Sequence, residues 1–327
     1  MFPQTICLGL KMKRARKNTD NKRIKQLLKV TVVLAVIFVI LLLQLFFPIR
    51  TLLPKYKIPP RGEGELRLHF LSVGQGDCTV VEFADGALLV IDAGDGKRVH
   101  SDHIYRYLKG LKASAPLVLA THADSDHAGG LQDVIKRFGA DTVYLPVIGS
   151  GESYENFLDR VKRAGCPQVT VKRYDTIARA GAEIVCLSPY AEGETNENDA
   201  SAVLFLRYAG VNVFLSGDIS AARERQLAAD YAVGAFDGVG VRLEETDILK
   251  VAHHGSAGSS SDVFCDLLGA KTAIISCGRG NAYAHPAGET AKRLKAWGSE
   301  VYRTDELGDI MVTVLADGTY RTEYGYL

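Results

Sequence analysis

The stretch His122-Ala123-Asp124-Ser125-Asp126-His127 places two imidazoles and two carboxylates within six residues. It follows the apolar run Leu117–Ala120 and precedes Gly129-Gly130. Imidazole nitrogen and carboxylate oxygen are standard donors for divalent metals. A lone His or Asp is usually a core or turn residue. This cluster instead arrives at the end of an apolar strand, at the rim of a sheet, where active sites commonly lie. Two further strand ends repeat the pattern. Val211–Leu215 leads through Ser216-Gly217 to Asp218, and Ile248–Ala252 leads to His253-His254-Gly255. Three such strand ends in one chain are more than coincidence.

The elements that must position these groups alternate strand and helix patterns. Leu66–Val73, Cys78–Phe83, Ala87–Ile91 and Pro116–Ala120 have the apolar content of strands, with Asp85-Gly86 a hairpin turn. The spacing of Leu131, Val134, Ile135 and Phe138 predicts a helix over 130–138. Val143–Leu145, Ile184–Leu187, Ala202–Leu206 and Val211–Leu215 follow as strands, and Ala221–Ala229 as a helix. Ile248–Ala252, Thr272–Ser276 and Ile310–Val314 are strands again, with helices between. Strands joined often through hairpins favour layered sheets covered by helices over one doubly wound parallel sheet.

Of the 327 residues, 47% are apolar, too few for a polytopic membrane protein. One segment differs: in Val30–Ile49 only Thr31 and Gln44 are polar. Twenty helical residues span roughly 30 Å, a bilayer's hydrocarbon thickness, so 30–49 is expected as a transmembrane helix. The basic tail 1–29 holds nine Lys or Arg and one acid, which places the N-terminus in the cytoplasm and the rest outside the cell membrane. A cleaved signal peptide fits less well, because the run is too long and Phe46-Phe47-Pro48-Ile49-Arg50 offers no small-residue cleavage site. Residues 50–63, with Pro54, Pro59 and Pro60, are expected as a stiff linker, and 64–327 as one domain. Residues 62–327 carry 26 bases and 37 acids, a net −11, which disfavours polyanion binding through a basic patch. Six cysteines are scattered without a C-x-x-C pair, which excludes a zinc ribbon. Cys7 falls in the tail; the other five are expected mainly as small core residues, with room for one disulfide.

The chain resembles the metallo-β-lactamase superfamily. Within it, it is similar to the soluble hydrolase domain of the ComEC family of DNA-uptake channel proteins. The stretches that carry the resemblance are Phe70–Asp77, Leu89–Gly94, Thr121–Gly130, Asn198–Leu204, Leu215–Asp218, Leu249–Ser256, Asn281–Pro286 and Arg303–Asp305. The resemblance implies an α/β (α+β) fold, a four-layer αββα sandwich, here preceded by the N-terminal transmembrane helix. It implies that His122 and Asp124 serve a first metal, that Asp126, His127 and His253 serve a second, and that Asp218 bridges both. Asp92 would support the ligands from behind, and so would His254. Asp126 and His285 are expected at the reacting centre, His285 touching the substrate or its leaving group. Asp77 is expected as a turn residue. Two departures stand out. Asp124 occupies the place of the superfamily's second histidine, and no histidine occurs from 128 to 252, so Asn198, Asp199 or Ser201 would fill the place of another. An oxygen-rich first site makes Mn²⁺ or Mg²⁺ candidates beside Zn²⁺, with either two ions or one strongly bound.

These readings imply hydrolysis by a metal-activated water, and the resemblance favours a phosphodiester of single-stranded DNA. Another diester, such as a wall polymer or phosphocholine, an ester or a lactam would suit the same chemistry. A binding protein with a vestigial site is the reading from another class. One span cannot form a channel, so a role in DNA uptake would require a separate pore.

Overall fold

The computed structural model describes residues 24–39, 58–189 and 195–325. The chain divides into two compact units, Met1–Lys55 and Tyr56–Leu327. In the first, 24–39 form helix α1. Residues 40–49 of the expected span lie outside the described residues, and no helix among the described residues is long and apolar enough to cross a membrane.

The second unit contains two sheets. Strands β1 (Leu66–Phe70), β2 (Thr79–Glu82), β3 (Leu88–Ile91), β4 (Leu117–Leu119), β5 (Val143–Leu145) and β6 (Gln168–Thr170) form the first. Strands β7 (Thr176–Arg179), β8 (Ala182–Ser188), β9 (Val203–Tyr208), β10 (Val211–Leu215), β11 (Ile248–Lys250), β12 (Thr272–Ile275) and β13 (Glu300–Arg303) form the second. The chain then returns to the first sheet with β14 (Ile310–Val314) and β15 (Tyr320–Tyr324), giving the order β15-β14-β1-β2-β3-β4-β5-β6. The second sheet runs β13-β12-β11-β10-β9-β8-β7.

Period-two alternation decides what each strand face meets. Leu66, Leu68 and Phe70 of β1 pack with Leu204, Leu206 and Val213 of the other sheet, which closes the inner core. The opposite faces are apolar as well. Val80, Val90 and Val118 pack under α2 (Arg98–Gly110), α4 (Leu131–Phe138) and α5 (Glu152–Ala164). Val185, Phe205 and Phe214 pack under α6 (Ala221–Ala232), α7 (Asp262–Leu268) and α8 (Gly288–Ala296). Two sheets with both outer faces apolar require a helical layer on each side, and the result is a mixed α/β two-sheet sandwich.

The stretch 58–63, expected as linker, lies against this unit. The buried guanidinium of Arg67 donates to the carbonyls of Pro59 and Pro60, at 2.7 and 2.9 Å, and Ile58 packs on the outer core. Cys78, Cys166, Cys186, Cys265 and Cys277 are all buried and free.

Candidate metal centre

The site gathers at the C-terminal ends of two parallel strand pairs, one in each sheet. In the first sheet, β3 and β4 pair with Ile91 opposite Leu119, so the residues just beyond them meet. Asp92 holds a left-handed φ of 57° and accepts from the Thr121 amide at 2.8 Å and the Thr121 hydroxyl at 2.6 Å. It also accepts from His127 Nδ1 at 2.8 Å. His122 Nδ1 lies 3.0 Å from Thr121 Oγ1; because that hydroxyl already donates to Asp92, the imidazole is the donor. Both histidines therefore turn Nε2, with its lone pair, towards the site interior.

His127 rides on the single turn α3 (Ser125–Ala128). Two glycines allow that turn to sit where it does. A Cβ on Gly130 would lie 2.0 Å from the Ala93 carbonyl oxygen, and one on Gly76 (φ 143°) would lie 2.4 Å from that of Asp126. The Gly76 contact sets the turn that ends in Asp77 against the metal loop, where the Asp77 amide donates to the Asp126 carbonyl at 3.1 Å.

In the second sheet, β10 and β11 pair with Leu215 opposite Lys250. Asp218 is buried, and its amide donates to Ser201 Oγ at 3.1 Å. His253 and His254 both adopt left-handed φ, 51° and 53°. That conformation costs about 1–2 kcal/mol for each L-residue and turns adjacent side chains in different directions. His254 is buried. Its Nδ1 donates to the Ser276 carbonyl at 3.0 Å, and its Nε2 lies 3.3 Å from both Asp126 Oδ2 and Asp218 Oδ2. His253 keeps a third of its side chain exposed, with Nε2 3.9 Å from Asp218 Oδ2.

One donor atom each from Asp77, His127, Asp218 and His254 lies within 4.8 Å of the others. Asp77 was expected as a turn residue and His254 as a support, whereas the structure puts both inside the buried group. His122 and His127 are in ring contact at 4.0 Å, and Asp124 flanks them with Oδ2 3.8 Å from His122 Nε2 and its side chain 46% exposed. Asp199 does not face the metal group: its carboxylate accepts from the N and Oγ of Ser220, the N-cap of α6, at 2.8 and 3.0 Å. Ser201 supports Asp218 and stands 3.4 Å from His122 Nδ1, while Asn198 Oδ1 is buried without a partner. His285 lies at the rim, its ring 5.6 Å from that of His253. Sequence reasoning also missed Lys250, a buried charge in an otherwise apolar strand, paired with Asp77 at 2.5 Å. That anomaly was the available signal that a buried acid must lie opposite.

The donor set fits a divalent cation. Nε2 of His122, His127 and His254, and Oδ1 of Asp218, are buried without a hydrogen-bond partner. An unsatisfied buried polar atom costs about 1–3 kcal/mol, so several facing one another require a cation or protons among them. His127 Nε2 stands 3.3 Å from Asp218 Oδ2, about the spacing of two donors that are each roughly 2.1 Å from one tetrahedral ion. The electrostatics agree. Burial lowers the His127 pKa, but the Asp218 and Asp92 carboxylates outweigh it and carry it well above the ordinary value. Burial acts likewise on His254, and Asp218 and Asp77 still carry it to about 10. In both, the carboxylates demand positive charge at the imidazole. His122 goes the other way, to about 4, through burial and the neighbouring His127 charge, which leaves it a neutral donor.

The Metallo-beta-lactamase superfamily profile matches residues 71–279, which include every member of this donor set. The chain belongs to the metallo-β-lactamase superfamily. Its two-sheet fold and four-residue candidate metal site are the equipment of a metal-dependent hydrolase. It is related to competence proteins. ComE operon protein 3 of Bacillus subtilis (strain 168) is 32% identical over 203 residues, 62% of this chain and 25% of that protein. Competence protein ComA of Neisseria gonorrhoeae is 28% identical over 247 residues, 75% of this chain and 32% of that protein. Recombination protein 2 of Haemophilus influenzae is 27% identical over 251 residues, 76% of this chain and 29% of that protein. The chain thus spans about a quarter to a third of the length of these relatives.

Proposed function

We propose that this metallo-β-lactamase domain is a phosphodiesterase acting on single-stranded DNA, held by the N-terminal segment at the outer face of the cell membrane. The observation that carries the hydrolytic reading is the convergence of buried, unsatisfied Nε2 and carboxylate atoms from both sheets on one point. DNA as substrate draws support from the similarity to competence proteins. The basic tail before Val30 and its single acid support the orientation across the membrane.

His127, Asp218 and His254 would hold one divalent ion, with His122 and Asp124 beside Asp218 for a second; Mn²⁺ and Zn²⁺ both suit these donors. Such ions supply an acidified water and a positive field for the phosphodiester, which an acidic domain otherwise lacks. The chain's own groups do the rest. Asp92 fixes the His127 tautomer through Nδ1, and the Ser276 carbonyl does the same for His254. Lys250 pairs with Asp77 Oδ2, while Asp77 Oδ1 stands 3.2 Å from His254 Nδ1 and remains part of the four-residue group. Gln75 Nε2 lies 3.4 Å from His285 Nδ1, which leaves the His285 proton on Nε2, able to donate to a substrate or leaving-group oxygen. Burial lowers the His285 pKa, which favours this neutral donor form.

The test is cleavage of single-stranded DNA by the purified chain with added Mn²⁺ or Zn²⁺, beside Asp126→Ala and bis(p-nitrophenyl) phosphate. Cleavage lost in the variant supports the reading. Hydrolysis of the small diester without DNA cleavage would keep the mechanism and replace the substrate. The net −11 of residues 62–327 favours that second reading, a wall-polymer or phosphocholine diester.

A further inference from the structure

We propose that Tyr283 is a stacking platform for a nucleobase, which makes the rim of the metal centre a subsite for single-stranded nucleic acid; this deepens the phosphodiesterase reading and rests on it. A line of rings runs from solvent to the metal group. Tyr283 stacks on His285 with centroids 5.8 Å apart and planes inclined by 28°. His285 in turn meets His253 edge-on at 5.6 Å and His254 at 6.3 Å. One face of the phenol is thus taken by His285, yet the residue remains 69% exposed, which leaves its other face to solvent.

The loop that presents this ring is tightly held. Asn281 Oδ1 accepts from the amides of Tyr283 and His285, at 3.1 and 3.0 Å. Asn281 Nδ2 donates to the carbonyls of Gly278 and His285, at 2.8 and 2.5 Å. Gln75 Oε1 accepts from the Gly278 amide at 3.2 Å. Beyond the loop, the Ala287 amide donates to the Gly255 carbonyl at 2.9 Å and ties it to the His253-His254 turn. A side chain clamped at its backbone and left outside in water is pre-organised to bind, because little conformational entropy remains to be lost.

The chemistry of the ligand follows from the ring and its neighbours. Any base offers a π-face to a tyrosine, and the base next to a phosphodiester seated at the metals lies within one nucleotide of it. A duplex hides its base faces, so the subsite selects single strands. The ammonium of Lys97 is paired with Asp95 at 2.6 Å. Arg279, exposed in the same loop, donates through Nε to the Asp305 carbonyl at 3.1 Å, and stacking on Tyr283 would add to the charge this arginine supplies. Base–aromatic stacking is worth roughly 1–3 kcal/mol per base, or about 5- to 150-fold in affinity.

The experiment compares the full-length chain with Tyr283→Ala and Tyr283→Trp on a short oligothymidylate and on an abasic oligomer of equal length. Binding is measured by fluorescence anisotropy with metal chelated, and cleavage as kcat and KM with Mn²⁺. Tyr283→Ala should weaken oligothymidylate binding and raise its KM about 5- to 150-fold, should affect the abasic oligomer less than twofold, and should be rescued by Tyr283→Trp. Equal losses on both oligomers, or no loss on either, overturn the platform and leave the phosphodiesterase reading intact. A wild-type chain that neither binds nor cleaves the oligothymidylate overturns the DNA reading and the platform together, and hydrolysis of bis(p-nitrophenyl) phosphate then shows whether the site is hydrolytic at all.

Discussion

Lys250 and Asp77 form a buried ion pair beneath the metal centre, Nζ to Oδ2 2.5 Å, which joins the second sheet to a turn of the first. Burial pushes the Asp77 pKa up, but the Lys250 and His254 charges outweigh it and hold the carboxyl well below the ordinary range. Removing one partner of such a pair costs roughly 3–5 kcal/mol because the other charge stays buried alone. Lys250→Met should lower the unfolding free energy by about that much, and adding Asp77→Asn should recover part of the loss. Urea unfolding of the two single variants and the double variant measures the coupling. Strict additivity would mean that the two side chains do not act as a pair.

The two neighbouring histidines should separate in metal binding. His254 is buried with Nε2 between Asp126 and Asp218, whereas His253 is partly exposed. In a titration against a chromogenic chelator, His254→Ala should lose metal affinity more than about tenfold, since even the loss of a group that only orients a ligand costs about 10- to 100-fold. His253→Ala should lose less. The reverse order would restore the ligand assignment that the resemblance alone implies. Because residue 253 holds φ 51°, His253→Gly should also be more stable than His253→Ala by about 1 kcal/mol.

These particulars show what was legible in the sequence. Strands β1–β5, β8–β12 and β14 appear as apolar runs because each is buried on both faces. Strands β6, β7, β13 and β15 lie at or beside sheet edges, and their residues are mostly exposed or half-buried, so no hydrophobic pattern marks them. Within the site, His122, Asp126, His127 and Asp218 were legible because each follows a strand that had to end at one rim. The choice between His253 and His254 was not, since backbone dihedrals decide it. Asp77 looked like a turn residue because a turn does carry it; only the long-range pairing with Lys250 draws it inward.

Two buried cysteines give a pH-dependent test of the core. Burial pushes the Cys265 and Cys277 thiols up to about 12, helped by the Glu224 charge for Cys265 and by a hydrogen bond to Asp305 for Cys277. The native thiols should resist alkylation at pH 8 and react once the chain is unfolded in urea. The unfolded thiol, near 9.0, ionises first. The folded pKa is thus the raised one, so the contribution to stability is complete below pH 9 and is lost as pH rises towards 12. Urea midpoints should therefore fall between pH 8 and pH 10, less steeply in Cys265→Ala. Rapid alkylation of the native chain would show that these thiols are not sealed in the core.

Asp92 touches no position that an ion would occupy, yet it controls two ligands. It accepts directly from His127 Nδ1 and, through the Thr121 hydroxyl, fixes His122 Nδ1 as a donor. An asparagine has the same shape, but its amide nitrogen in the Oδ2 position would donate where His127 also donates. His127 must then move or shift its proton to Nε2, where it can no longer bind metal. Asp92→Asn should therefore weaken metal binding about 10- to 100-fold, with little change in the far-ultraviolet circular dichroism of the folded chain. Thr121→Val removes the same hydroxyl link while leaving the Asp92–His127 contact in place, so its loss should be smaller. Chelator competition measures both. If Thr121→Val costs as much affinity as Asp92→Asn, the hydroxyl rather than the direct Asp92–His127 bond sets the tautomers of this centre.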